Sequence, residues 1–384
     1  MMPAFKHRIN TALSQREKAG LTRNLKTLDG GNRVQLSCGE QSFINFSNND
    51  YLGLACDKAL TDAWQQGLKR YGAGSGASPL VTGFSPAHAG LQSALCEWLG
   101  YERAVLFGSG FSANQALLFT LLSKEDVLLQ DKLNHASLIE AGRLSDARMK
   151  RFKHNDLSHL SRLISTDHNT LVVTEGVFSM DGDKAPLKQI EQEIDQRAWL
   201  MVDDAHGIGV LGAYGSGSCH LAGVKPDLLV VTFGKAFGLS GAAVMCSEDT
   251  GNYLTQFARH YVYSTAIPPS QAYAITCAID IIQRQQWRRD KLDELAQVYD
   301  ELFCTLDGYV ATSTPIRPFI IGCSERAVRV AAELNKQGFW VTAIRPPTVP
   351  EGSSRLRITL TAAHSSEHIV QLAQALKRSL ELSQ

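Results

Sequence analysis

Leu228-Leu-Val-Val-Thr-Phe-Gly-Lys-Ala-Phe-Gly238 opens with a run of five residues, apolar up to Thr232, and then breaks into glycines on either side of Lys235. Such a run is short for a buried helix and suits a strand covered on both faces. Similar runs stand at residues 104–107, 127–130, 171–174, 199–202 and 242–246. Helical spacing appears between and before them, as in Ala59, Leu60, Ala63, Trp64 and Leu68, and again in Leu91, Ala94, Leu95, Trp98 and Leu99. The alternation indicates an α/β domain with a mostly parallel sheet. Ligands of such sheets sit at the carboxyl ends of the strands. The polar residues just after each run are therefore the ones that can carry chemistry.

The chain of 384 residues is long enough for two or three domains. Lys and Arg number 38, as do Asp and Glu, so the formal net charge is zero. No broad positive field exists to draw nucleic acid or an anionic membrane. No apolar run approaches the 18 or so residues of a membrane span. Cys38, Cys56, Cys96, Cys219, Cys246, Cys277, Cys304 and Cys323 are scattered, with no zinc-type pair, and read as reduced thiols of a cytoplasmic enzyme. Residues 1–20 lack the apolar core of a secretory signal and place Phe5, Ile9, Ala12 and Leu13 at helical spacing, as in an amphipathic arm.

The expected organisation is an arm over 1–45, a large α/β domain over 46–282, and a linking helix with a smaller α+β domain over 283–384. The link is the charged stretch 283–302. Beyond it, helices are expected at 325–337 and 365–382, the latter with Ile369, Leu372, Ala373, Leu376 and Leu380 on one stripe.

Phe107-Gly-Ser-Gly-Phe-Ser-Ala-Asn114 ends a strand, turns on glycines and starts a helix. The free N–H groups of Gly110 and Phe111, with the helix dipole behind them, suit an anion. Read alone, the motif is equally a plain glycine turn. Asp203 is the first polar residue after its strand, with His206 three residues on. A buried aspartate needs a cation or several donors; capping of the next segment is the common explanation, and a metal site with His206 the rarer one. Lys235 lies in apolar surroundings that favour the neutral, imine-forming amine. Thr232 precedes it. His135 and Ser179 also follow strand runs, where a histidine can stack on a planar ligand or be structural, and a serine can simply turn the chain.

Together these motifs resemble the α-oxoamine synthases, a group within the fold-type I aminotransferase superfamily, from about residue 20 to residue 380. Phe46-Ser-Asn-Asn-Asp-Tyr-Leu-Gly-Leu54, Tyr263-Ser-Thr-Ala-Ile-Pro-Pro269, Val341-Thr-Ala-Ile-Arg-Pro-Pro-Thr-Val-Pro350 and Ser354-Arg-Leu-Arg-Ile-Thr-Leu-Thr361 carry the likeness. The third stretch resembles the pimeloyl-using branch, which serves biotin biosynthesis. The resemblance implies a large domain with a seven-stranded sheet, a smaller α+β domain, pyridoxal 5'-phosphate as cofactor, and no metal. It implies that Lys235 carries the cofactor as an imine and serves as base, with Asp203 on the ring nitrogen and His135 stacked on the ring. Ser179 and His206 would face the phenolic oxygen, and Gly110, Phe111 and Thr232 the phosphate. Arg357, aided by Asn49, would take the carboxylate of L-alanine, while Arg23 and Thr348 line the acyl side. The implied reaction is decarboxylative condensation of L-alanine with pimeloyl-CoA or pimeloyl-acyl carrier protein, in a homodimer whose partner brings Ser264 and Thr265 near the phosphate. Arg355 is expected to face away from the site and to act as a control for Arg357. Glycine-using members with acetyl- or succinyl-CoA, a metal enzyme built on Asp203, His206 and His135, and a cofactor-free binding protein are the alternatives.

Overall fold

Alternation along the central strands splits the core in two. Leu228 and Val230 point into one apolar cluster and Leu229 and Val231 into the other, as successive side chains of a strand must. A computed structural model describes residues 3–164 and 167–383. Its central sheet has seven strands: β1 (Arg103–Phe107), β2 (Val127–Asp131), β3 (Arg148–Phe152), β4 (Thr170–Glu175), β5 (Trp199–Asp203), β6 (Leu228–Thr232) and β7 (Ala242–Cys246). The order across the sheet is β1-β7-β6-β5-β4-β2-β3. All neighbours pair in parallel except β7, which runs against both β1 and β6. The mostly parallel α/β sheet expected from the apolar runs is present.

The strand β3 was not anticipated. Its sequence, Arg-Met-Lys-Arg-Phe, is charged because it lies at the sheet edge and pairs only with β2, where exposed charge is tolerated and protective. Helices cover both faces. Gly110–Leu121 and Ala136–Leu144 share one cluster with the sheet, while Pro86–Leu99 and Pro269–Arg284 share the other. Burying a Leu or Ile here contributes about 1.5–3 kcal/mol.

The linking helix runs over Trp287–Phe303, four residues later than expected at its start. The chain first completes Pro269–Arg284 and leaves helical geometry at Gln285. Arg288 of the linking helix is buried and ties it to the large domain, donating to the Leu52 carbonyl at 2.7 Å and to Asp57 at 2.6 Å. Beyond it, Ile316–Gly322, Ser354–Thr359 and Thr342–Ile344 form an antiparallel sheet in that spatial order. Helices Ser324–Lys336 and Ser366–Leu382 flank it, at the expected places. Strands Gln35–Cys38 and Gln41–Asn45 form a hairpin that continues onto Phe339–Trp340. The arm helix spans Pro3–Lys18, and its Phe5, Ile9 and Leu13 are half exposed. Residues 1, 2, 165, 166 and 384, including the first two of the arm and the last of the C-terminal unit, lie outside the described residues. Among the described residues no helix is long and apolar enough to cross a membrane. All eight cysteines are free.

Candidate active site

The carboxyl ends of β2, β4, β5 and β6 meet the start of helix Gly110–Leu121 around a cavity of about 330 Å³. Asn49, Gly110, Phe111, His135, Asp203, His206, Thr232 and Lys235, all expected from the sequence, line it together.

One wall is built for an anion. Ser109 caps the helix, its hydroxyl accepting from Ser112 N at 3.1 Å. The N–H groups of Gly110 and Phe111 come next and have no carbonyl one turn back to bind. Thr232 faces them from the end of β6, and its buried hydroxyl has no partner. A Cβ on Gly110 would stand 2.7 Å from Thr232 Cγ2, so only glycine lets helix and strand close on one another here.

The opposite wall carries the charge. Asp203 ends β5, is buried, and accepts from Asn114 Nδ2 at 2.8 Å and from Ala205 N at 3.0 Å. Asn114 also donates to Ser137 at 3.0 Å, and Ser137 lies 2.8 Å from His135 Nδ1. Helix start, aspartate and histidine are thus held in one polar chain. The Lys235 amine has no hydrogen-bond or ion-pair partner among the described residues. Burial pushes it below the ordinary lysine range, and the Asp203 and Glu175 carboxylates pull it back in part. Its loop is fixed by Gly238, whose N–H donates to the Lys235 carbonyl at 2.9 Å and whose φ of 69° suits glycine. Burial lowers His206 well below the usual histidine range, helped by Lys235 and Arg357, so it is a neutral imidazole. Its Nδ1 is 2.5 Å from the Tyr51 hydroxyl. His135 is lowered too, by desolvation first, with Asp203 opposing and Lys235 adding to the shift.

Five polar side chains of the cavity were not anticipated: Ser109, Asn114, Ser137, Glu175 and Ser240. Asn114 lies four residues beyond Gly110 on the same helix face. Glu175 ends β4 just as Asp203 ends β5, and the two are register partners. Burial, and then the Asp203 charge, push the Glu175 carboxyl well above its ordinary range.

Arg357 approaches Asn49 from the C-terminal sheet. Its Nη2 donates to Asn49 Oδ1 at 3.0 Å, its Nη1 to Thr359 at 3.0 Å, and its Nε to the Ser179 carbonyl at 2.7 Å. It is buried with neutral acceptors alone, and no carboxylate lies within ion-pair distance among the described residues. Ser179 therefore enters through its carbonyl, and its side chain is not part of the cavity wall. Arg355 corrects an expectation. Residues two apart on a strand share a face, and Arg355 also turns toward the same loop, reaching Asp181 at 2.5 Å and the Met180 carbonyl at 3.3 Å. It differs from Arg357 in having a counterion, not in direction. Arg23 and Thr348 are exposed and do not line the cavity. Both lie three residues from a single tie, the bond of 2.9 Å from Arg345 Nη1 to the Gly20 carbonyl. Among the described residues no group of three His, Cys, Asp or Glu side chains is placed to hold a metal ion.

Comparison with known proteins agrees with this geometry. The family described as aminotransferase class I and II matches residues 41–376. The 8-amino-7-oxononanoate synthase of Vibrio parahaemolyticus is 65% identical over 380 residues, covering 99% of each chain. That of Vibrio cholerae is 63% identical over 377 residues, covering 98% of each. Among solved structures, serine palmitoyltransferase of Sphingomonas wittichii superposes with a TM-score of 0.91 at 27% identity, over 100% of this chain and 98% of that one. The crystal structure of 8-amino-7-oxononanoate synthase from Francisella tularensis gives 0.78 at 31% identity, over 88% and 98%. The chain belongs to the class I and II aminotransferase family and, within it, to the 8-amino-7-oxononanoate synthases.

Proposed function

We propose that the chain joins L-alanine to a pimeloyl thioester, with loss of carbon dioxide and release of the thiol, to make 8-amino-7-oxononanoate for biotin synthesis. The observation that carries the reading is the desolvated, partnerless Lys235 amine in one cavity with a buried carboxylate and a helix start. The residues present fit pyridoxal 5'-phosphate. The orphaned Thr232 hydroxyl and the free N–H groups of Gly110 and Phe111 suit a phosphate, and Asp203 suits a protonated ring nitrogen. When bound, this cofactor supplies an aldehyde that condenses with amines and a ring that accepts an electron pair.

Lys235 would hold the cofactor through its aldehyde. Its amine, held below the ordinary lysine range by burial, is suited to take the proton at alanine Cα. Asn114 and the Ala205 N–H both donate to Asp203 and orient its carboxylate, which would hold the ring nitrogen of the bound cofactor. His135, on the cavity wall, would cover the ring face. Arg357 receives the alanine carboxylate as a two-pronged pair, with Asn49 steadying one prong. In the net reaction the Cα–H and Cα–carboxylate bonds of alanine break, and Cα bonds to the thioester carbonyl carbon. The C–S bond gives its electron pair to the departing thiolate, and one proton returns to Cα.

Arg23 and Thr348 are assigned to the acyl side, supported by the Gly20–Arg345 tie that brings their segments together. The acyl carrier is coenzyme A or acyl carrier protein. A homodimer is part of the proposal: Phe257 is 61% and Tyr263 80% exposed, beside the Ser264–Thr265 segment assigned to the partner's phosphate. Light scattering at twice the chain mass supports it, and a monomer at micromolar concentration argues against it. Product analysis tests the chemistry. Alanine with pimeloyl-CoA or pimeloyl-acyl carrier protein is expected to yield 8-amino-7-oxononanoate. Faster turnover of glycine with acetyl- or succinyl-CoA would assign the chain to a different substrate pair.

A further inference from the structure

His154 lies just beyond the edge strand β3, outside the cavity, and both of its ring nitrogens meet carboxylates. Nδ1 is 3.0 Å from Asp131 Oδ1 and Nε2 is 2.7 Å from Asp183 Oδ2. A neutral imidazole has one N–H and can donate to only one of them. Two acceptors therefore call for the imidazolium. Desolvation works against that charge, but the hydrogen bonds and charges of Asp131 and Asp183 outweigh it and raise the group to about 10.

The two carboxylates belong to different site loops. Asp131 ends β2, is fully buried, and also receives the N–H groups of Leu133 at 2.8 Å and Asn155 at 2.9 Å. It thereby shapes the turn that delivers His135. Asp183 closes a tight loop whose ends are joined by Phe178 N to the Asp183 carbonyl at 3.0 Å. The tip of that loop offers the Ser179 carbonyl to Arg357 and the Asp181 carboxylate to Arg355. Asn155, held at a φ of 53°, adds a second donor to Asp183 at 3.0 Å. The His154 ring also meets Phe178 edge-on, 4.4 Å between centroids.

We propose that His154 is a positioning residue: as a cation riveted between Asp131 and Asp183, it sets the spacing between the His135 loop and the Ser179–Asp181 tip, and so between the ring-stacking group and the Arg357 guanidinium. No other hydrogen bond links Asp131 to Asp183 among the described residues except through His154 and its neighbour Asn155. This role rests on the proposed function, because it acts on where the amino-acid carboxylate lies relative to the ring.

The test uses the cofactor-loaded enzyme and titrates L-alanine against its visible absorbance. His154→Gln is expected to keep the cofactor band and to raise the apparent Kd of alanine about tenfold, the scale at which a supporting hydrogen bond outside the site acts. Asp183→Asn, at the more exposed end of the rivet, is expected to do the same more mildly. His154→Arg, which keeps a cation with several donors, is expected to recover part of the loss. A lowered melting temperature with unchanged alanine Kd in both His154→Gln and Asp183→Asn would overturn the proposal and leave the function standing. A wild-type enzyme that binds cofactor but gives no response to alanine would overturn both.

Discussion

Two cavities of this protein differ in what their polar groups already hold. The one between Val210, Leu221, Arg289, Asp293 and Arg317 has a volume of about 460 Å³, against about 330 Å³ at the strand ends. Its Arg317 donates to Asp300 at 3.0 Å and to the Thr312 carbonyl at 2.7 Å, and it faces the Tyr299 ring at 5.6 Å. Arg289 is bound to the Ile282 carbonyl at 2.7 Å and to Gln286, and Asp293 shares the cavity. The smaller cavity has three buried side-chain atoms without a partner among the described residues, Thr232 Oγ1, Asn114 Oδ1 and Glu175 Oε1, against Arg317 Nε alone in the larger one. It adds the Lys235 amine and two open helix N–H groups, with Arg357 bound only to neutral acceptors at its edge. Buried polar groups without partners are costly, and a fold retains them where a ligand completes them. The convergence of several unsatisfied polar groups on one cavity marks the site, and volume does not.

The contrast can be broken by mutation. Lys235→Ala should have the largest effect, because it removes both the cofactor's attachment and the base. Turnover should fall by more than the roughly 10²–10⁴-fold that a placed base contributes, with loss of the visible cofactor band; a yellow, active variant would erase the distinction between the cavities. Arg357→Ala should raise the KM of alanine by roughly 10–100-fold, in line with about 1.5–3 kcal/mol for a charge-assisted pair. Arg355→Ala should raise it less and mainly lower the melting temperature, because its guanidinium has Asp181 as counterion in the folded protein. Equal KM effects would show that the counterion does not decide the role.

A pH series sharpens the comparison further. The folded pKa of His154, about 10, lies above the unfolded value near 6.5. Its stabilising contribution is therefore complete below about 6.5 and is lost as the pH rises through about 10. The melting-temperature gap between wild type and His154→Gln should narrow over that window, and a gap that stays constant would place the proton elsewhere. The smallest effect on activity belongs to the larger cavity. Arg317→Ala should lower the melting temperature by several degrees, since it takes a donor from the Thr312 carbonyl and leaves Asp300 with the Tyr309 hydroxyl and no counterion, while kcat/KM for alanine is unchanged.

The sheet was legible because six of its seven strands are apolar runs ending in polar or glycine residues or pairing beside them. The seventh, β3, was hidden because edge strands are written in charged residues, and only its pairing with β2 identifies it. Asp203 was legible as the first polar residue after a buried run. Glu175 obeys the same rule at the end of β4 and was open to the same reading. Asn114 and Ser137 were hidden by ordinary helix-start composition, and their role appears only once Asp203 lies within 2.8 Å of the amide. The likeness of Arg355 and Arg357 in sequence conceals their difference, which depends on where Asp181 falls. The His154 rivet joins residues 23 and 29 positions apart, beyond the reach of local patterns.

Borohydride reduction followed by peptide mapping tests the central claim most directly. The protein is loaded with pyridoxal 5'-phosphate, reduced so that an imine becomes a stable secondary amine, and digested. The cofactor's mass should appear on the peptide containing Lys235 and be absent when alanine is added before reduction. A tag on another lysine, or none on a protein that remains active, would contradict the account.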